Sequence, residues 1–132
     1  MKKSFWMVLS MLFFVGCFSA PVLNLQNESI PMSGNDKQFT MEEVEKAILS
    51  AAQKRGWVPR VMKPGFIEAK LSLRSHKATV EIPYTKNSYS INYKSSENLN
   101  YKNGNIHKNY NHWVANLSRT IQAELGITPQ KK

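Results

Sequence analysis

Nine carboxylates, three histidines and one cysteine are the side chains in this 132-residue sequence that could bind a metal, attack a substrate or move a proton. Their spacing argues against each chemistry in turn. His107 and His112 stand five residues apart, so they do not share a helical face as a four-residue step would allow. His76 falls alone in an expected hairpin turn, and no second cysteine joins the histidines. Neither a metal nor a cofactor is expected. No serine lies in a Gly-x-Ser-x-Gly elbow. Glycosidic cleavage takes two carboxylates flanking one bond. Glu42, Glu43 and Glu45 read as helix-start acids, and Glu81 is expected to face a lysine across a hairpin. Only Glu97 is left without a structural role, and one carboxylate does not make a pair. The sequence therefore reads as a protein without enzymatic activity, a binding or structural module. The alternative is a hydrolase acting on cell-wall glycan or peptide, centred on Glu97 or His107.

Binding chemistry is better represented. Residues 95–111 and the lysine just before them bring together Lys94, Asn98, Tyr101, Lys102, His107 and Tyr110. Aromatic faces beside amide donors and acceptors suit sugars or peptides, and the lysines favour an anionic ligand. The competing explanation is that Asn and Gly make turns here while Tyr101 and Tyr110 pack on helices. Base stacking on a sheet needs surface aromatics. Tyr84, Tyr89 and Tyr93 instead fall on the expected apolar face, so nucleic acid is not an expected partner.

The single cysteine belongs to the N-terminus. Lys2 and Lys3 precede an apolar run from Phe5 to Val15, interrupted only by Ser10, and small residues follow. That is the three-part pattern of an export signal. The run is too short to span a bilayer, which takes about 20 residues. Cleavage after Ala20 would place Pro21 just past the cut, which is unfavourable. Phe14-Val15-Gly16-Cys17 resembles the lipobox of bacterial lipoproteins, with Phe14 where Leu is usual. That resemblance implies cleavage before Cys17, which would carry a thioether-linked diacylglycerol and an amide-linked acyl chain such as palmitate. Two or more chains anchor stably. Phe18 rather than Asp follows Cys17, which for lipoproteins of this type implies the periplasmic face of the outer membrane, ahead of the inner membrane or the cell surface. With Cys17 consumed no disulfide forms, so the fold must rest on packing alone. Losing Lys2 and Lys3 lowers the net charge from +9 to +7. In the envelope the expected partners of such a chain are the membrane itself through the lipid anchor, an anionic envelope component or an envelope protein.

The elements that would position these residues follow in order. Residues 1–16 read as the signal peptide, and 17–38 as the lipidated cysteine with a flexible tether, since Pro21, Pro31 and Gly34 interrupt any period. Residues 39–132 read as one domain. Thr40-Met41-Glu42-Glu43 is a capping box opening a helix, with Val44, Ala47, Ile48 and Ala51 on its buried stripe and Gly56 ending it. Strands are expected at Val58–Lys63, with Pro59 marking an edge, and over 66–74, where Ile67, Ala69, Leu71 and Leu73 alternate with polar residues. A Ser75-His76 turn would pair Lys70 with Glu81 and Leu71 with Val80. A turn at Lys86-Asn87 would place Tyr84 opposite Tyr89 and Ile82 opposite Ile91. Residues 95–108 read as a long loop. A last helix starting at Asn109 or Asn111 carries Trp113, Leu117, Ile121 and Leu125 on one side. The expected fold is α+β in two layers: helix, four-stranded antiparallel meander, helix, with both helices on one sheet face. The other face, with Glu68, Lys70, Ser72, Arg74, Thr79, Glu81, Ser90, Asn92 and Lys94, is expected to meet water and is a second candidate binding surface beside the 95–111 loop.

A wider likeness runs through Arg55-Gly56-Trp57, Arg74-Ser75-His76, Ile82-Pro83-Tyr84, Tyr89-Ser90-Ile91-Asn92-Tyr93, Ser96-Glu97-Asn98-Leu99 and Asn109-Tyr110-Asn111-His112-Trp113. These segments, with Cys17, resemble a group of small uncharacterised bacterial lipoproteins. The resemblance implies an anchor and a fold rather than an activity.

Overall fold

The computed structural model describes residues 18–127; Cys17 and the expected signal peptide lie outside the described residues. The chain is α+β. Strands β1 (Ser19–Pro21) and β2 (Leu25–Ser29) precede helix α1 (Met41–Lys54). Strands β3 (Trp57–Lys63), β4 (Phe66–Leu73), β5 (His76–Pro83), β6 (Ser88–Glu97) and β7 (Asn105–His107) follow, then helix α2 (Lys108–Glu124). Five strands form one antiparallel sheet in the order β2-β6-β5-β4-β3, and β1 and β7 form a second, two-stranded sheet.

Helix α1 forms as its sequence dictates. The Thr40 hydroxyl accepts from the Glu43 N–H, and the Glu43 carboxylate accepts from the Thr40 N–H. Two donors that a helix start leaves open are thereby closed. Val44, Ala47, Ile48, Ala51 and Ala52 are buried. Both helices meet the same sheet face. Tyr84 and Tyr89 pair across strands, and their hydroxyls bond Glu45 of α1 and Ser118 of α2 respectively. Ile67, Val80, Ile82 and Ile91 of the sheet pack there with Ile48, Val114, Leu117 and Ile121 of the helices.

The meander β3–β6 is present, with β3 on the expected edge, and it is extended beyond four strands. Residues 18–38 are not a free tether. β2 pairs with β6 through Leu25 and Ile91, and Ile30 is buried. β1 pairs Ser19 with His107 and Pro21 with Asn105. Asn111 clamps the link between β1 and β2: its amide donates to the Pro21 carbonyl and accepts from the Leu23 N–H, both at 2.9 Å. The segment lacks a period because each of its strands is short and half-buried, so it shows no alternating run to read.

The β4–β5 register also differs from the expected one. Leu73 pairs with His76, so Arg74 and Ser75 form the turn, and Lys70 faces Thr79 while Leu71 faces Ala78. The shift is two residues, which keeps every side chain on its expected face. Arg74 takes a left-handed φ of 57°. Asn98 steadies the turn from outside: its amide donates to the Ser75 carbonyl, and its own carbonyl accepts from His76 Nδ1 at 2.7 Å. The β5–β6 pairing holds as expected at Tyr84 and Tyr89.

About half of the expected loop 95–108 is ordered into strands. β6 continues to Glu97, Leu99 is buried, and Lys102 pairs with Asn105 around an Asn103-Gly104 turn. Both turn residues have positive φ, 52° and 77°, as the tight type I′ hairpin requires. α2 starts earlier than Asn109: His107 is its N-cap, and its Nδ1 accepts from the Asn109 N–H. Among the described residues no helix is long and apolar enough to cross a membrane.

Candidate functional site

The six residues singled out from sequence do not converge. Lys94 leaves the others and lies on the sheet face away from the helices, bonded to Glu68 at 2.6 Å. Asn98 is spent on the β4–β5 turn. Its left-handed φ, shared by Asn100 and Asn103, explains the asparagine richness of this region as backbone geometry. Tyr101 is half exposed and stacks on Tyr93, with ring centroids 4.4 Å apart. Lys102 is exposed in the β7 hairpin. His107 caps α2 and lies parallel to the Phe18 ring at 6.4 Å. Tyr110 is wholly buried, with its ring edge-on to Tyr93, and so belongs to the core rather than to a binding surface. Its position within the first turn of an amphipathic helix accounts for that placement.

Two groupings take the place of that cluster. The first is the open face of the five-stranded sheet, the other candidate surface. Glu68, expected to be solvated, is only 8% exposed. It pairs across β4–β5 with Glu81, a like charge, and Lys94 resolves the repulsion by reaching both carboxylates, at 2.6 and 3.7 Å. Lys70 approaches Glu68 from the other side at 3.7 Å. The Lys94 hydrogen bond holds the Glu68 carboxyl below the usual carboxylate range against the opposing effect of burial, and Glu68 in turn raises Lys94. Beside this cluster runs a shallow groove of about 440 Å³ lined by Lys70, Ser72, Lys77, Thr79, Ser95, Ser96 and Glu97, among others. It opens where the β5–β6 register shifts between Thr79 and Val80, because a bulge re-aims the side chains around it. Glu97 lies here and faces Lys77 at 3.9 Å, and no second carboxylate lines the groove.

The second grouping is the end of the molecule built from β1, β7 and the start of α2. Here Phe18 stacks on His107, and the Lys102–Asn105 hairpin leads into β7 beside β1. The signal that could have located it is Asn103-Gly104, the dipeptide most favoured in two-residue hairpins. A further cavity between residues 28–34 and the C-terminal end of α2 adjoins Ile127, the last described residue.

Among the described residues no group of three or more His, Cys, Asp or Glu side chains is placed to hold a metal ion. The groove on the open face offers two cations, several hydroxyls and the Glu97 carboxylate. Comparison with family models, curated proteins and solved structures finds no match to this chain.

Proposed function

We propose that this chain is an exported lipoprotein, carried on a lipidated Cys17 at the periplasmic face of the outer membrane, whose domain is a non-enzymatic module binding an anionic envelope component. The single supporting observation is the groove on the open sheet face, where Lys70 and Lys77 stand among the hydroxyls of Ser72, Thr79, Ser95 and Ser96. Lys94 is committed to Glu68 and Glu81. Lys70 and Lys77 keep only long ion pairs, at 3.7 and 3.9 Å, and both are more than half exposed. The Lys77–Glu97 pair is exposed on both sides and is worth about 0–1 kcal/mol, so an incoming anion displaces it at little cost, while Lys70, which also reaches the buried Glu68, adds a second positive charge. Hydroxyls beside the lysines supply the hydrogen bonds that an oxyanion takes up.

The test is a titration of the anchored protein with soluble anionic cell-wall fragments. Saturable binding that weakens with salt is the expected result, and Lys70→Glu with Lys77→Glu should lower affinity about tenfold or more through like-charge repulsion. Equal binding by the double variant would sink this reading. Cleavage of the fragments in the same samples would instead favour the hydrolase centred on Glu97.

A further inference from the structure

We propose that the end of the domain made by β1, β7 and the first turn of α2 lies directly on an anionic phospholipid surface and so fixes how the sheet is presented. The inference rests on the lipidated Cys17 proposed above. It adds that the domain has no slack with which to stand off the membrane.

The first argument is covalent. Consecutive Cα atoms are 3.8 Å apart, and Phe18, next to Cys17, is already fixed to the fold. Its carbonyl accepts from the Lys108 N–H at 2.9 Å, and β1 begins at the following residue. Asn111 and β7 hold that strand from two sides. An acyl chain on Cys17 therefore brings this end of the domain to the headgroups.

The second argument is what stands there. Phe18 is 71% exposed and Tyr101 49% exposed. Large exposed rings are costly in water but favoured at a membrane interface. Lys102 and Lys108 are exposed beside them. Arg74 is exposed in the turn that Asn98 clamps, one residue before Leu99, whose carbonyl accepts from the His107 N–H.

The third argument is the missing opposite charge. Residues 18–23 and 98–112, which build this end, contain no Asp or Glu. The neighbouring acid is Glu97, which Lys77 faces at 3.9 Å. An anionic surface meets cations and aromatics here without a carboxylate to repel it.

The opposite end of the strands provides the reference. Lys63 pairs with Phe66 at the start of β4, and Lys86 lies in the β5–β6 turn. The eight-residue β5 separates the two ends by about 25 Å at 3.4 Å per residue, well beyond a screening length of about 10 Å.

The experiment uses the mature protein extracted with its anchor and reconstituted into phosphatidylethanolamine vesicles containing roughly one-quarter phosphatidylglycerol. A lysine-acylating reagent is added, and each site is followed by mass spectrometry alongside the intact mass. Relative to vesicles without phosphatidylglycerol, Lys102 and Lys108 should react about fivefold more slowly each, while Lys63 and Lys86 stay unchanged. The protection should fade in about 0.5 M salt, where screening shortens to about 4 Å. Lys102→Glu, an exposed change that leaves the core untouched, should restore Lys108 reactivity. If the mass shows lipid on Cys17 while Lys102 and Lys108 react as freely as Lys63 and Lys86, the docking is wrong and the anchor stands. A mass without lipid on Cys17 overturns the anchor and this inference with it.

Discussion

Two tyrosines show how residue type misleads until partners are known. Tyr89 and Tyr110 are both buried in the same core, and burial raises both phenols above their ordinary range. Tyr89 has company: its hydroxyl meets Ser118 Oγ at 2.6 Å and accepts from Gln122 at 3.3 Å. Among the described residues the Tyr110 hydroxyl has no hydrogen-bond partner. A satisfied buried hydrogen bond contributes about 1 kcal/mol, whereas an unsatisfied buried hydroxyl costs about 1–3 kcal/mol. Opposite signs are therefore expected from one chemical change. Tyr89→Phe should lower stability by about 1 kcal/mol, and Tyr110→Phe should leave it unchanged or raise it by about 1 kcal/mol. Urea unfolding of the two variants with equal slopes checks this; a comparable loss in both would mean that the Tyr110 hydroxyl has a partner in solution.

At the scale of elements, the N-terminal strands decide where the domain begins. A tether can be cut away without loss, whereas a strand cannot. Removing residues 18–38 would strip β2 from β6, uncover Ile91 and Tyr89, and take away Ile30. The exposed β6 edge would offer unpaired N–H and C=O groups for aggregation. Such a truncated chain should be recovered mainly as aggregate, or with its thermal midpoint lowered by well over 10 °C, as losing several kcal/mol implies at this size. A soluble form with an unchanged midpoint would restore the tether. The same elements mark how far sequence reading reaches. α1 was legible because capping box, stripe and terminating Gly56 all agree, and β4 and β5 were legible because each alternates over eight residues. β1, β2 and β7 are three, five and three residues long, too short for periodicity to rise above the surrounding polar residues. The Glu68–Lys94 contact was hidden for another reason. It depends on the bulge between Thr79 and Val80 and on a hairpin turn one residue earlier than expected, and no local pattern announces either. Lys94 was placed on the correct sheet face with Glu68 and Glu81, but the register that joins them was not legible, and it was also counted with the 95–111 residues as an anion binder.

For the whole molecule, charge sets the conditions under which these contacts survive. Glu43, Glu68 and Glu124 are each held below the usual carboxylate range, by the Thr40 N–H, Lys94 and Lys54 respectively. A carboxyl depressed in the folded state adds stability that is fully present above its unfolded value and disappears as pH falls through the folded one. Tyr84 runs the other way. Burial and the Glu45 hydrogen bond raise it to about 12, so its contribution holds below 10 and fades as pH climbs toward 12. Stability should therefore be broad and flat between these limits. Its acid side should be steep, because protonation removes the ion pairs while the net charge, already +9 for the full sequence, grows and the fold repels itself. Glu68 joins the two effects, since its carboxylate offsets Lys70 and Lys94 together on one sheet face. Glu68→Gln should lower the thermal midpoint at neutral pH yet flatten its acid descent, so that wild type and variant converge at acid pH, once the wild-type carboxyl is protonated. Added salt should raise the wild-type midpoint at that pH by screening the remaining positive charges. Parallel curves from neutral to acid pH would mean that Glu68 is not held as an ion by its lysines, and that the open face is organised by packing instead.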